Sequence, residues 1–353
     1  MPMPAAPNTW RGPAAGLAAA ALFGLSAPLA KLLLRDIAPV LLAGLLYSGA
    51  AAGLWLHRWL APRSQEAPLT RGDWPKLALL IAAGGMAGPV LMLMGLQRVS
   101  GVTGSLLLNL EAPLTMLLAV AAFKEHLGRW PALAAALIIA GAAVLQLEPG
   151  DAKTDPLGAA LLVAACACWA LDNNLTQRLT LRDPFALVRI KTLVSGAVGV
   201  LIGLVVLGQP LPAPQPLAAA LVLGSLSYGV SVVLDAFALR WIGAAREAAY
   251  FATAPFVGAI AALALLGDRL QLREAAAMAV MALGVVLLTA ERHQHVHAHG
   301  KIEHDHLHLH DAHHQHSHHP GDPSGELHSH AHRHAPLVHD HPHFPDAHHR
   351  HDH

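Results

Sequence analysis

LQRVSGVTGSLLLNLEAPLT, residues 96–115, and ALRWIGAAREAAYFATAPFV, residues 238–257, are two copies of one segment. Laid end to end, Arg98 falls on Arg240, Gly101 on Gly243 and Pro113 on Pro255, each 142 positions further on. Ala- and Leu-rich stretches match one another easily. A guanidinium, a missing side chain and an imino acid held in a single register do so far less readily. KEHL and GDRL follow the two copies, with Glu125 opposite Asp268 after a one-residue insertion. Upstream, FGLSAPLAK from Phe23 lies against WALDNNLTQ from Trp169.

Both copies sit in apolar surroundings. The 353 residues are 54% hydrophobic and 13% charged, whereas a soluble domain carries about a quarter charged residues. Crossing hydrocarbon takes about 20 mostly apolar residues. Ten stretches meet that need: 13–34, 38–60, 74–96, 98–122, 130–147, 157–178, 185–208, 217–239, 244–266 and 273–290. A helix satisfies its own backbone hydrogen bonds, the condition for lying in lipid, and the polar faces of a soluble bundle are missing. The expected fold is therefore an all-α polytopic membrane protein of ten transmembrane helices in two five-helix repeats. Five is odd, so the second copy lies upside down relative to the first. Inverted repeats let two halves exchange conformations and so swap inward-open and outward-open states. The expected organisation is a first repeat over 1–147, a linker over 148–156, a second repeat over 157–291 and a tail over 292–353.

With the N-terminus inside, eleven Lys and Arg fall on the inner side and five on the outer side, which predicts an inner-membrane protein with both termini cytoplasmic. The first apolar run is too long for a signal-peptide core of about 7–15 residues and is read as an uncleaved helix. Zero formal net charge gives no basis for a nucleic-acid partner. Cys166 and Cys168, the only cysteines, lie within an apolar run and build no disulfide scaffold. No G-x-x-x-x-G-K-[ST], H-E-x-x-H or strand-borne G-x-G-x-x-G occurs, so neither an enzyme nor direct coupling to ATP is predicted, and no cofactor is implied for the helices.

An ionisable group at the bilayer centre costs about 2.5–3.5 kcal/mol on insertion scales and needs a reason to be there. Glu111 falls in the middle of the fourth span. At 100° per residue it shares a small, polar stripe with Ser100, Gly104 and Thr115. Pro113 cannot donate to the carbonyl of Asn109, so an acceptor is freed one turn away. This predicts a cavity wall on which Glu111 exchanges a proton or pairs with a cationic solute; the plainer alternative is a hydrogen-bonded helix contact. A second group, Asp172, Lys191 and Asp235 with Asn173 and Asn174 beside it, is placed nearer the cytoplasmic side as a gate, a substrate site or a structural ion pair. Pro113 and Pro255 are read as kinks, Lys31 as snorkelling to the interface, and Arg246 and Glu247 as interfacial.

The tail holds 24 of the 26 histidines. Alternate histidines share a face of an extended chain and neutral imidazole suits zinc, copper and nickel. His293, His295, His297, His299, His304, His306, His308, His310, His313 and His314 are candidate ligands for a divalent transition metal (Zn, Ni, Cu or Co). With little apolar content the tail is expected to be disordered.

The paired SGVTGSLLLNLEAPLT…KEHL and GAAREAAYFATAPF…GDRL segments resemble the EamA-type transporters of the drug/metabolite transporter superfamily. DNNLT at 172–176 and the tail resemble a His-rich-tailed subgroup. The resemblance covers about residues 14–290 and implies ten helices, a central substrate cavity and transport without ATP hydrolysis. The expected function is secondary transport of a small solute, exporting and proton-coupled, with the lipid bilayer and that solute as partners; a homodimer is compatible with this. The alternative is a transition-metal exporter or a metal-responsive membrane protein that uses the tail.

Overall fold

A computed structural model describes residues 10–60, 67–123, 128–145, 155–179, 182–242, 244–290, 294–299, 303–308, 328–333 and 337–342. Eight helices in it are long and apolar enough to cross a membrane: α1 Arg11–Leu33, α2 Pro39–Leu60, α3 Arg71–Leu96, α4 Gly101–Ala122, α6 Pro156–Leu179, α7 Pro184–Val206, α8 Pro214–Leu239 and α9 Ala249–Leu266. Two further apolar helices, α5 Arg129–Val144 and α10 Leu272–Ala290, pack along each other. At about 1.5 Å per residue the 16 residues of α5 span about 24 Å, short of a full crossing of about 30 Å.

The helix pairings repeat as the sequence does. Contacts α3–α6 and α4–α6 recur five helices on as α8–α1 and α9–α1, and α2–α8 recurs as α7–α3. The pairs α2–α7, α4–α9 and α5–α10 map onto themselves, as contacts across a pseudo-two-fold axis must. At the α2–α7 crossing, a Cβ on Gly44 would lie 2.4 Å from the Val200 nitrogen, and one on Gly199 would lie 2.8 Å from the Gly44 Cα. Lipid gives no hydrophobic drive for helices to associate, so close backbone packing through small residues supplies the attraction.

Several helices are irregular. The first breaks between Gly24 and Ser26, the fourth tightens to a 3-10 turn at Leu108–Leu110, and the ninth breaks at residues 252–253. Each irregularity lies within five residues before a proline: Pro28, Pro113 or Pro255. The proline ring takes away the donor that would continue the ladder and crowds the preceding turn. Wide π turns occupy Ile81–Ala87 in α3 and Ser225–Val230 in α8, helices that correspond in the repeat, and Ile202–Val206 in α7.

Six of the seven tryptophans are more than a third exposed: Trp10, Trp55, Trp59, Trp74, Trp130 and Trp241. They flank the start of α1, the end of α2, the starts of α3 and α5 and the end of α8, which all fall at one end of the bundle. Such a belt marks a membrane–water boundary.

Within the tail, Gln294–His299 (β1) pairs antiparallel with Leu337–Pro342 (β4), and Glu303–His308 (β2) with His328–Arg333 (β3). The expectation of a disordered tail is corrected for these segments. Histidine alternating with other residues has the period of two that a strand accommodates, and low apolar content does not prevent backbone pairing. His295 stands opposite His341, His297 opposite His339, and His304, His306 and His308 opposite His332, His330 and His328. His299 lies on β1 opposite Leu337. His293, His310, His313 and His314 lie outside the described residues.

Candidate functional site

Helices α1, α2, α4, α6, α7, α8 and α9 line a chamber of two lobes. Phe23, Glu111, Asn173 and Phe251 line both lobes and join them. The first lobe adds Ser105, Asn109, Thr115 and Glu247. The second adds Tyr47, Trp169, Asp172, Lys191, Tyr228 and Asp235.

Glu111 opens the regular part of α4 just after the 3-10 turn and faces α6. Its Oε1 accepts a hydrogen bond from Asn173 Nδ2 at 2.8 Å. The two groups of candidates read from the sequence as separate therefore meet: Asn173 carries Glu111, and the neighbouring residue Asp172 pairs with the Lys191 ammonium of α7. Lys191 is 3% exposed and Asp172 6%, so this pair is withdrawn from water and each partner needs the other. Asp235 turns instead to Glu247, which sets two carboxyl groups side by side in the chamber.

The backbone of α3 makes room for Asp172. A Cβ on Gly84 would lie 2.3 Å from Asp172 Cγ. The π turn around Gly84 presents its carbonyl sideways, where it accepts from Tyr47 Oη at 2.9 Å and Trp169 Nε1 at 3.2 Å. Phe23 then joins the aromatic wall, with ring centroids 5.6 Å from Trp169, 5.8 Å from Tyr228 and 5.2 Å from Phe251.

Not every expected residue reaches the chamber. Ser100 shares Glu111's stripe in a regular helix but lies at the far end of α4, away from the tryptophan belt, where it caps the helix by accepting from the Thr103 nitrogen at 3.0 Å. Its own hydroxyl donates to Glu274 at 3.1 Å. The serine is corrected to an end-cap because the 3-10 turn at 108–110 interrupts the stripe. Asn174 donates to the carbonyls of Thr115 at 3.1 Å and Ala170 at 2.8 Å, so it ties α6 to α4. Thr115 lines the first lobe while its hydroxyl returns to the Glu111 carbonyl at 2.8 Å. Pro113 is buried two residues beyond Glu111, and Pro255 lies in the first turn of the helix after the α9 break.

Half-buried Lys31 reaches the end of the bundle away from the tryptophan belt, where it donates to the carbonyls of Leu96 and, at 2.7 Å, Val99 at the tight α3–α4 corner. One expectation of exposure is overturned. Glu247 is not interfacial but 1% exposed. The repeat carried a signal for it: 142 positions separate it from Ser105, the middle of a span, and both residues line the first lobe. Tyr47, Tyr228 and Gly84 carried no such signal, because single aromatics and glycines abound in membrane helices.

Several polar atoms of the lining have no hydrogen-bond partner: Ser105 Oγ, Asn109 Oδ1, Asp172 Oδ1, Tyr228 Oη and Glu247 Oε1. A buried unpaired polar atom costs about 1–3 kcal/mol. Among the described residues, no three His, Cys, Asp or Glu side chains are placed to share one metal ion.

Apolar helices built from two like halves around a buried polar chamber define a membrane transport protein. This chain belongs to the EamA-like transporter family, which matches residues 10–147 and 156–290. It is a transporter and not an enzyme. An uncharacterized transporter of Methanothermobacter thermautotrophicus is 32% identical over 290 residues, covering 77% of this chain and 84% of the relative. A protein of known crystal structure superposes with a TM-score of 0.62 at 18% identity, over 79% of this chain and 96% of that one, a likeness of fold alone.

Proposed function

We propose that the chain is a proton-coupled secondary transporter that exports a small solute by alternating access. In this reading α5 and α10 complete ten spans, and both termini face the cytoplasm at the tryptophan-lined end. The observation that carries the proposal is the Glu111–Asn173 contact at the junction of the two lobes. A carboxyl there is reached by solute and proton alike. When solute enters, Asn173 and the solute compete for the same oxygen; when solute leaves, a proton takes its place. The pseudo-two-fold pairing of helices supplies the mechanical half, since exchanging the conformations of the two repeats moves the opening from one side to the other.

The transition-metal alternative draws on the histidine content of the tail and not on the chamber, where a buried lysine already occupies Asp172.

The test begins with a solute screen in proteoliposomes. For the solute found, Glu111→Gln should abolish flux driven by a pH gradient yet retain solute–solute counterflow, which needs no proton. Undiminished gradient-driven flux would remove Glu111 from the coupling step.

A further inference from the structure

The chamber's unpaired atoms say what kind of solute would complete it. This deepens the transport reading above and rests on it for the claim that the chamber receives a solute. Five lining residues, each at least nine-tenths buried, leave an atom without a partner. Two of these atoms are acceptors by chemistry, the second carboxylate oxygen of Asp172 and the amide oxygen of Asn109, and a third belongs to the Glu247 carboxyl, which accepts when ionised. The amide of Asn109 is turned so that its nitrogen donates to the Met281 sulfur at 3.8 Å, which leaves the oxygen free. The remaining two, Ser105 and Tyr228, are hydroxyls that accept as readily as they donate.

The charges lean the same way. Among the described residues the chamber holds four carboxyl groups, Glu111, Asp172, Asp235 and Glu247, against the single ammonium of Lys191. Lys191 is committed to Asp172, so carboxyl oxygens outnumber the positive donors that could meet them. The walls between these groups are the rings of Phe23, Tyr47, Trp169, Tyr228 and Phe251, whose faces attract cations.

We propose that the chamber takes a protonated amine that keeps its N–H donors, a primary ammonium or an amidinium on an aromatic or branched apolar body. A quaternary ammonium satisfies the charge and the rings but brings no hydrogen to the orphaned oxygens. A carboxylate or phosphate brings acceptors to acceptors. The N–H count is therefore the discriminating property, because sites built to hydrogen-bond a group reject the analogue that lacks it.

The full-length protein in lipid nanodiscs would be titrated calorimetrically near pH 7 with matched pairs. Phenethylammonium and cyclohexylmethylammonium would be compared with their N,N,N-trimethyl counterparts, and 3-phenylpropionate would serve as the anion. The primary ammonium should bind at least about tenfold more tightly than its trimethyl partner, with no anion binding. Asp172→Asn should narrow that gap. Tyr228→Phe, which removes only a hydroxyl, should narrow it by a few-fold and keeps the test open should Asp172→Asn fail to fold. Equal or tighter binding of the trimethyl compounds, binding of the anion, absence of any ammonium binding, or variants indistinguishable from the parent would each overturn the assignment. If Glu111-dependent flux of a neutral or anionic solute is found, this inference fails while the transport reading stands. If ammonium binds with Asp172 dependence and no solute is moved, the transport reading fails alone.

Discussion

Gly84→Ala puts one methyl group where the structure has none to spare. Its Cβ would lie 2.3 Å from Asp172 Cγ and 2.5 Å from Asp172 Oδ2, inside the closest approach real side chains make. Three things can give. Asp172 can swing aside, leaving the Lys191 ammonium without its partner. Helix α3 can draw back, stretching the bonds that Tyr47 and Trp169 donate to the Gly84 carbonyl. Or the π turn can tighten. Overpacking typically costs about 1–3 kcal/mol, and two neutral hydrogen bonds are worth about 1 kcal/mol each, so about 3–5 kcal/mol is expected if both contributions are lost. The assay is unfolding of the purified protein by SDS titration in mixed micelles, beside flux in liposomes. Gly72→Ala is the control, since its Cβ would meet nothing nearer than Thr70 Oγ1 at 4.0 Å. A Gly84→Ala protein as stable and as active as the parent would refute the packing argument and with it the placement of Asp172 against α3.

Lys191→Met should cost about 3–5 kcal/mol in the same titration by leaving Asp172 buried and unpaired, and Lys191→Met with Asp172→Asn should recover part of that loss. Lys31→Met removes the donor to two carbonyls at the α3–α4 corner, so a cysteine placed at Val99 should react several-fold faster with a membrane-impermeant maleimide. At the same corner the Arg98 guanidinium, 2.9 Å from Asp155, holds that carboxyl below the usual aspartate range. The tie is thus present at neutral pH and lost only as pH falls through the lowered value. Arg98→Gln should return the titration of Asp155, followed by carboxyl-labelled NMR, toward about 3.9.

What the sequence made legible was whatever repeats or whatever is costly. The register of Arg98, Gly101 and Pro113 with their copies revealed the two halves. The price of burying Glu111 in lipid directed it inward, and Asp172, Lys191 and Asp235 were recognisable for the same reason. Which charge meets which was not legible. Asp172 and Asp235 compete for Lys191 on equal terms in sequence, and only the π turn at Gly84, which seats Asp172 against α3, decides between them. Ser100 was misplaced because a regular 100° step was carried through a 3-10 turn that adds rotation. Glu247 was misplaced because 244–266 was read as one straight helix, when the turn at 252–253 sets the short helix Ala244–Phe251 apart from Ala254–Leu266.

The two halves share a backbone plan but not its polar equipment. Asp172 of the second half stands where the first has Ser26; Glu111 of the first stands where the second has Thr253; Glu247 of the second answers Ser105. Trading conformations between the halves therefore cannot produce mirror-image end points. Cargo held between them meets a different set of oxygens when the mouth faces one compartment than when it faces the other, so uptake and discharge differ in grip even with no gradient applied. Half-saturation should therefore differ between the two faces, and a chimaera carrying two first halves would lose that difference while net direction stays with the gradient.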